Sequence, residues 1–114
     1  MEKIFEKTLL YDFYGELLTA HQREIYEDVV FNDMSLSEAA EAYGVSRQGI
    51  HDMIRRCDAA LSGYEEKLHL VEQFESVRKK AQRIRVLAGQ DADIPAAACR
   101  EIRELTEQIL TEIG

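Results

Sequence analysis

The sequence predicts an all-α protein: a four-helix module with a helix-turn-helix over residues 1–62, then a long two-helix antiparallel hairpin over residues 63–114. Three observations carry this. Apolar residues recur at steps of three and four along most of the chain, the helical period. One proline and six glycines leave few breaks in 114 residues. The stretch Ser35–Arg56, SLSEAAEAYGVSRQGIHDMIRR, places capping residues and a glycine where two short helices meet at a tight turn.

Taken in order, residues 3–18 form the first helix. Phe5, Leu9, Phe13 and Leu17 make its apolar stripe, widened by Ile4, Leu10, Tyr14 and Leu18. Thr19 caps the second helix with Gln22 at the capping-box position. That helix runs to about Asn32 and buries Ile25, Val29 and Val30, with Tyr26 and Phe31 at its margins. Asn32-Asp33 is a turn signal. Ser35 caps the third helix with Glu38 three residues on, and Ser37 is the competing cap. Gly44 supplies the left-handed corner. Val45 points inward, and Ser46 caps the fourth helix. On that helix Ile50, Met53, Ile54, Cys57 and Leu61 share the core face, opposite Gln48, His51, Asp52 and Arg55.

Ser62-Gly63 marks a break, and Tyr64–Ala88 follows as one helix with a stripe of Leu68, Val71, Phe74, Val77, Ala81, Ile84 and Ala88. Twenty-five residues make a rod of about 38 Å. Gly89–Asp93 is the next turn. Asp93 caps a last helix with Pro95 in its first turn and Cys99, Ile102, Leu105, Ile109 and Ile113 on its apolar face. Two such long helices expose more apolar surface than each covers alone, so they are expected to pack against a second copy as a homodimer, or else to fold back on residues 1–61.

Charge and composition restrict function. The net charge is −8, and residues 19–62 hold four basic against eight acidic side chains. Affinity for DNA rests largely on neutralising phosphates, so one such module is a poor duplex binder. Arg78, Lys79, Lys80, Arg83 and Arg85 form a basic cluster on the long helix. It is expected to pair with Glu101, Glu104 and Glu107 across the hairpin, or else to form a secondary nucleic-acid patch. No run is apolar and long enough to span a bilayer. The N-terminus lacks a signal-peptide pattern, so the chain is expected in the cytoplasm, away from membranes. Cys57 and Cys99 are then expected as buried thiols. His21, His51 and His69 are dispersed, with no HExxH, CxxC or phosphate-binding loop. No metal, cofactor or catalytic residue is expected, and the chain is read as a non-enzyme.

The run Leu10–Arg56, LYDFYGELLTAHQREIYEDVVFNDMSLSEAAEAYGVSRQGIHDMIRR, and the following GYEEKLHL resemble the YlxM-like (UPF0122) helix-turn-helix proteins of Gram-positive bacteria. The SLSEAAEAYGVSRQGIHDMIRR part also looks like region 4 of sigma-70-type factors. The first resemblance implies a cytosolic accessory or regulatory protein of the signal recognition particle pathway. Its partners would be the particle protein, its receptor or its small RNA. The second implies nucleic-acid-binding residues at Ser46, Arg47, Gln48, His51, Arg55 and Arg56, and with them the alternative of a dimeric DNA-binding transcription regulator. Gly49 inside the fourth helix, Asp52 on its outer face and the acidic third helix depart from a good promoter reader.

Overall fold

The computed structural model describes residues 2–89 and 93–113. Within them run α1 (Glu2–Tyr14), α2 (Ala20–Tyr26), α3 (Leu36–Tyr43), α4 (Arg47–Leu68), α5 (Leu70–Ala88) and α6 (Ala96–Ile113). A 3₁₀ turn, Gly15–Leu17, follows α1, and a π turn, Glu27–Phe31, continues α2. The helices gather into two compact units that divide between His69 and Leu70.

Short polar side chains start the helices of the first unit. Thr19 Oγ1 accepts from the Gln22 amide (3.1 Å) while Gln22 Oε1 accepts from the Thr19 amide (2.9 Å). Ser35, not Ser37, is the cap of α3, closing the same reciprocal pair with Glu38. Ser46 Oγ accepts from the Gly49 amide at 3.0 Å. Each such cap contributes about 1 kcal/mol.

Gly44 ends α3 at φ 68° with its amide bonded to the Ala40 carbonyl. A Cβ there would meet no atom within 4 Å. Gly44→Ala therefore isolates the cost of the left-handed backbone. It should lower stability by roughly 1–2 kcal/mol in urea unfolding; an unchanged midpoint would contradict the left-handed corner.

Two sets of side chains fill the unit. Ile25, Ala39 and Ile50 form one, with Val29, Met34, Ala40, Tyr43, Met53 and Ile54 packed on them. Tyr14, Leu18, Tyr26, Cys57 and Leu61 form the other buried set. Tyrosines with one end in the core and one at a carboxylate recur here. Tyr26 donates to Asp58 (2.6 Å), Tyr14 to Glu65 (2.6 Å), Tyr43 to Asp28 (2.5 Å) and Tyr11 to Glu27. This pattern corrects two expectations. Tyr26 is fully buried rather than marginal. The α1 stripe is rotated, so that Tyr14 and Leu18 are buried while Ile4, Phe5, Phe13 and Leu17 are exposed. Stacking of Tyr11 on Tyr26 (centroids 5.5 Å apart) and the Tyr14–Glu65 bond set that rotation. Val45 is 44% exposed instead of inward; a Cβ at Gly49 would stand 3.8 Å from it, so it lies over the start of α4.

The expected break at Ser62-Gly63 is not there. The helix α4 runs through both residues, because burial of Leu61 outweighs the propensity cost of one glycine, roughly 1 kcal/mol. It ends at His69, whose backbone is left-handed (φ 56°) and whose amide bonds the Glu65 carbonyl at 2.8 Å. The following helix is accordingly shorter, 19 residues, or about 29 Å.

In the second unit α5 and α6 are antiparallel. Gln73 and Ser76, early in α5, bond Glu112 late in α6, while Arg83 bonds Glu101 near the α6 start. Leu87 and Ala98 are buried in the seam, and Val77, Ile84, Ile102, Leu105 and Ile109 are half-buried. Phe74, Ala81 and Ala88 of the expected stripe are exposed, as are Cys99 and Ile113 of the α6 face; so is Leu68, which ends α4. The seam has turned toward Leu87, with Gln73, Ser76 and Lys80 taking the facing positions beside Glu112. Both cysteines are free thiols, but Cys99 is exposed where a buried one was expected. Residues 90–92 of the expected Gly89–Asp93 turn lie outside the described residues. Asp93 is not the cap of α6: the Pro95 carbonyl accepts the first helical bond, from Cys99 at 3.0 Å.

Candidate functional site

The helix pair α3–α4 turns at Gly44, and the geometry is that of a helix-turn-helix. The caps Ser35 and Ser46 lie on one side of it. Ser35, Leu36 and Ser37 from α3 and Ser46, Arg47, Gln48 and His51 from α4 line a shared open depression. Unsatisfied amides of a helix's first turn carry partial positive charge, so two such turns favour an anion or acceptor at this spot. Sequence reasoning found the α4 half through its spacing. It missed the contribution of Leu36 and Ser37, because the start of α3 comes beside the start of α4 through packing and not through sequence spacing.

Arg55 and Arg56 stand apart from this depression. With Asp52 and Ala59 they line a second, shallower one a turn further along α4. The six expected contact residues are thus split, four at the helix start and two beyond. Arg47, Arg55 and Arg56 are exposed and form no ion pair among the described residues. Asp52 stands between the two groups. Its carboxylate accepts from Gln48 Nε2 at 3.0 Å and lies 4.0 Å from His51 Nδ1. The amide that a major-groove reader would turn toward a base is held by a neighbour on its own helix.

The basic cluster of α5 is divided too. Arg83 makes a two-pronged bond to Glu101 (2.9 and 3.2 Å), which holds the Glu101 carboxyl below the usual range. Lys80 pairs with Glu112 rather than with Glu104 or Glu107, and with Ser76 it lowers the Glu112 carboxyl as well. Arg78, Lys79 and Arg85 stay exposed, without an ion pair among the described residues. No group of three or more His, Cys, Asp and Glu among the described residues is placed to hold a metal ion. Nor is any described helix long and apolar enough to cross a membrane.

With this geometry in place, the comparisons with known proteins give one answer. The profile of the family described as "Putative helix-turn-helix protein, YlxM / p13 like" matches residues 1–96, ending where α6 begins. A UPF0122 protein of Caldanaerobacter subterraneus is 50% identical over 78 residues, covering 68% of this chain and 67% of the relative. One from Thermoanaerobacter sp. strain X514 is 40% identical over 110 residues (93% and 89%), and one from Geobacillus kaustophilus 43% over 109 residues (92% and 98%). The chain belongs to the UPF0122 family of helix-turn-helix proteins.

Proposed function

We propose that this chain is a non-catalytic regulatory protein of the signal recognition particle pathway, acting from the cytoplasm. In this reading the α3–α4 face binds the particle protein, its receptor or its small RNA. The observation that carries the reading is the makeup of that face. Arg47 borders a depression fed by two helix starts, Arg55 and Arg56 line a second one further along α4, and none of the three forms an ion pair among the described residues, on a unit that is otherwise acidic. Residues 1–69 hold seven basic against fourteen acidic side chains, which opposes long contact with a naked duplex and suits a basic or protein-coated partner. The choice of pathway comes from the resemblance of Leu10–Arg56 to the YlxM-like proteins.

Purification of the tagged protein from its own cells tests this, with protein and RNA in the eluate both identified. Particle components should be recovered with the wild type and lost with Arg47→Ala/Arg55→Ala/Arg56→Ala. Their absence from the wild-type eluate would sink the assignment.

A second reading, a transcription regulator on duplex DNA, is favoured by Arg47, Gln48 and His51 sharing one depression at the start of α4. Here Asp52 is the informative residue. Removing a unit charge about 4 Å from a phosphate is worth about 1 kcal/mol in water, and Asp52→Asn also frees Gln48. On this reading Asp52→Asn should tighten duplex binding about fivefold in a low-salt gel shift. Equal and poor binding by wild type, Asp52→Asn and the triple arginine variant would exclude it.

A further inference from the structure

The hairpin has two unlike sides. On one, Gln73, Ser76 and Lys80 reach Glu112, and Arg83 grips Glu101. That side is closed on itself by hydrogen bonds. On the other side lie Val77, Ala81 and Ile84 of α5 with Ile102, Leu110 and Ile113 of α6. Helical positions advance by about 100° each, and in an antiparallel pair the same sense of rotation brings both sets to one side. Leu110 and Ile113 remain 62% and 61% exposed.

Two helices close a single seam, and here that seam buries Leu87 and Ala98 among the described residues. Helical bundles reach a proper interior by stacking a second pair on the first. We propose that this apolar side seats the same side of a second copy, giving a two-fold dimer through the hairpins.

Charge selects the second copy. The first unit carries a net of −7, seven basic against fourteen acidic residues. Residues 70–114 carry −1, seven against eight. Two copies meeting through their first units would repel strongly, whereas two hairpins meet almost neutral. The size fits as well. Helices of 19 and 18 residues lying side by side present a footprint of about 28 by 20 Å. That plane is about 560 Å², close to the lower limit of specific interfaces, roughly 600 Å² per partner. The proposal is independent of what the α3–α4 face binds.

The test is sedimentation of the full chain over the micromolar range, with helicity followed by circular dichroism. The wild type should sediment at twice 13.1 kDa. Leu110→Glu and Ile113→Glu should raise the dimer dissociation constant at least about tenfold, since each change enters a symmetric interface twice. Lys79→Glu, outside the apolar side, should leave it unchanged. Should either glutamate variant lose helicity, Leu110→Gln replaces it as a milder polar probe with the same expected direction. A wild type that stays monomeric overturns the proposal, leaving the side to another part of the chain or to a different protein. A dimer indifferent to both positions overturns it equally.

Discussion

Replacing Ile50 by alanine is expected to cost about 2–5 kcal/mol of stability, the range for removing a branched side chain from a filled core. Ile50 is fully buried and belongs to the cluster with Ile25 of α2 and Ala39 of α3. The upper half of that range is expected, because the walls of the site cannot close in. Ala39 has no further side chain to offer. The backbone on either side is held by the Ser35 and Ser46 caps and by the left-handed Gly44. Since a small domain is stable by about 5–15 kcal/mol in all, the variant should unfold at a much lower urea concentration. Ile50→Val, which keeps most of the volume, should lose about 0.5–1.5 kcal/mol. An alanine variant within about 1 kcal/mol of wild type would mean that α3 and α4 do not pack through this residue.

Alkali should unfold the first unit well before general base damage begins. Four tyrosine hydroxyls donate to carboxylates, and a tyrosinate can make no such bond. Burial and the Glu27 carboxylate push Tyr11 up to about 12. The bond to Asp28, with burial second, pushes Tyr43 up to about 12. Burial and then Asp58 raise Tyr26 further still. In each case the folded value lies above the unfolded value near 10. Their contribution is therefore complete below pH 10 and is lost as pH rises from about 10 toward 12. Tyrosinate absorbance and helical circular dichroism, followed together, should change in one cooperative step above the ordinary tyrosine range. Tyr26→Phe should cost roughly 1.5–3 kcal/mol at neutral pH, the value of a bond to a charged group. Asp58 keeps Lys7 at 3.4 Å in that variant, so it is not left bare. The same variant should flatten the decline above pH 10. Independent titration of all tyrosines near 10, with helicity intact, would refute the coupling.

The parts of the fold governed by local chemistry were legible from residues alone. Thr19-Gln22, Ser35-Glu38 and Ser46 start helices through bonds three residues long, and Gly44 ends one through its own backbone freedom. The parts decided at a distance were not. Periodicity gave α1 a stripe, but the Tyr11–Tyr26 stack and the Tyr14–Glu65 bond set which side of it faces inward. Gly63 reads as a break by propensity, while the actual break falls at His69, which itself takes the left-handed conformation that a glycine would have signalled. On the candidate face the exposed residues of α4 followed from spacing. That Asp52 would hold Gln48 depends on rotamers four positions apart, which composition does not report.

The π turn Glu27–Phe31 has a further consequence. Its wide loops run from Asn32 back to the Glu27 carbonyl (3.0 Å) and from Met34 back to Asp28 (2.9 Å), so it holds one residue more than a regular turn requires. Deleting that surplus residue would restore a uniform spiral and swing everything after it by about 100°. Asp28 would then leave Tyr43, and the helix pair would aim elsewhere. The heading of the helix-turn-helix is thus written in the chain length of one irregular coil, and a single-codon deletion there is a more drastic change than most substitutions on the candidate face itself.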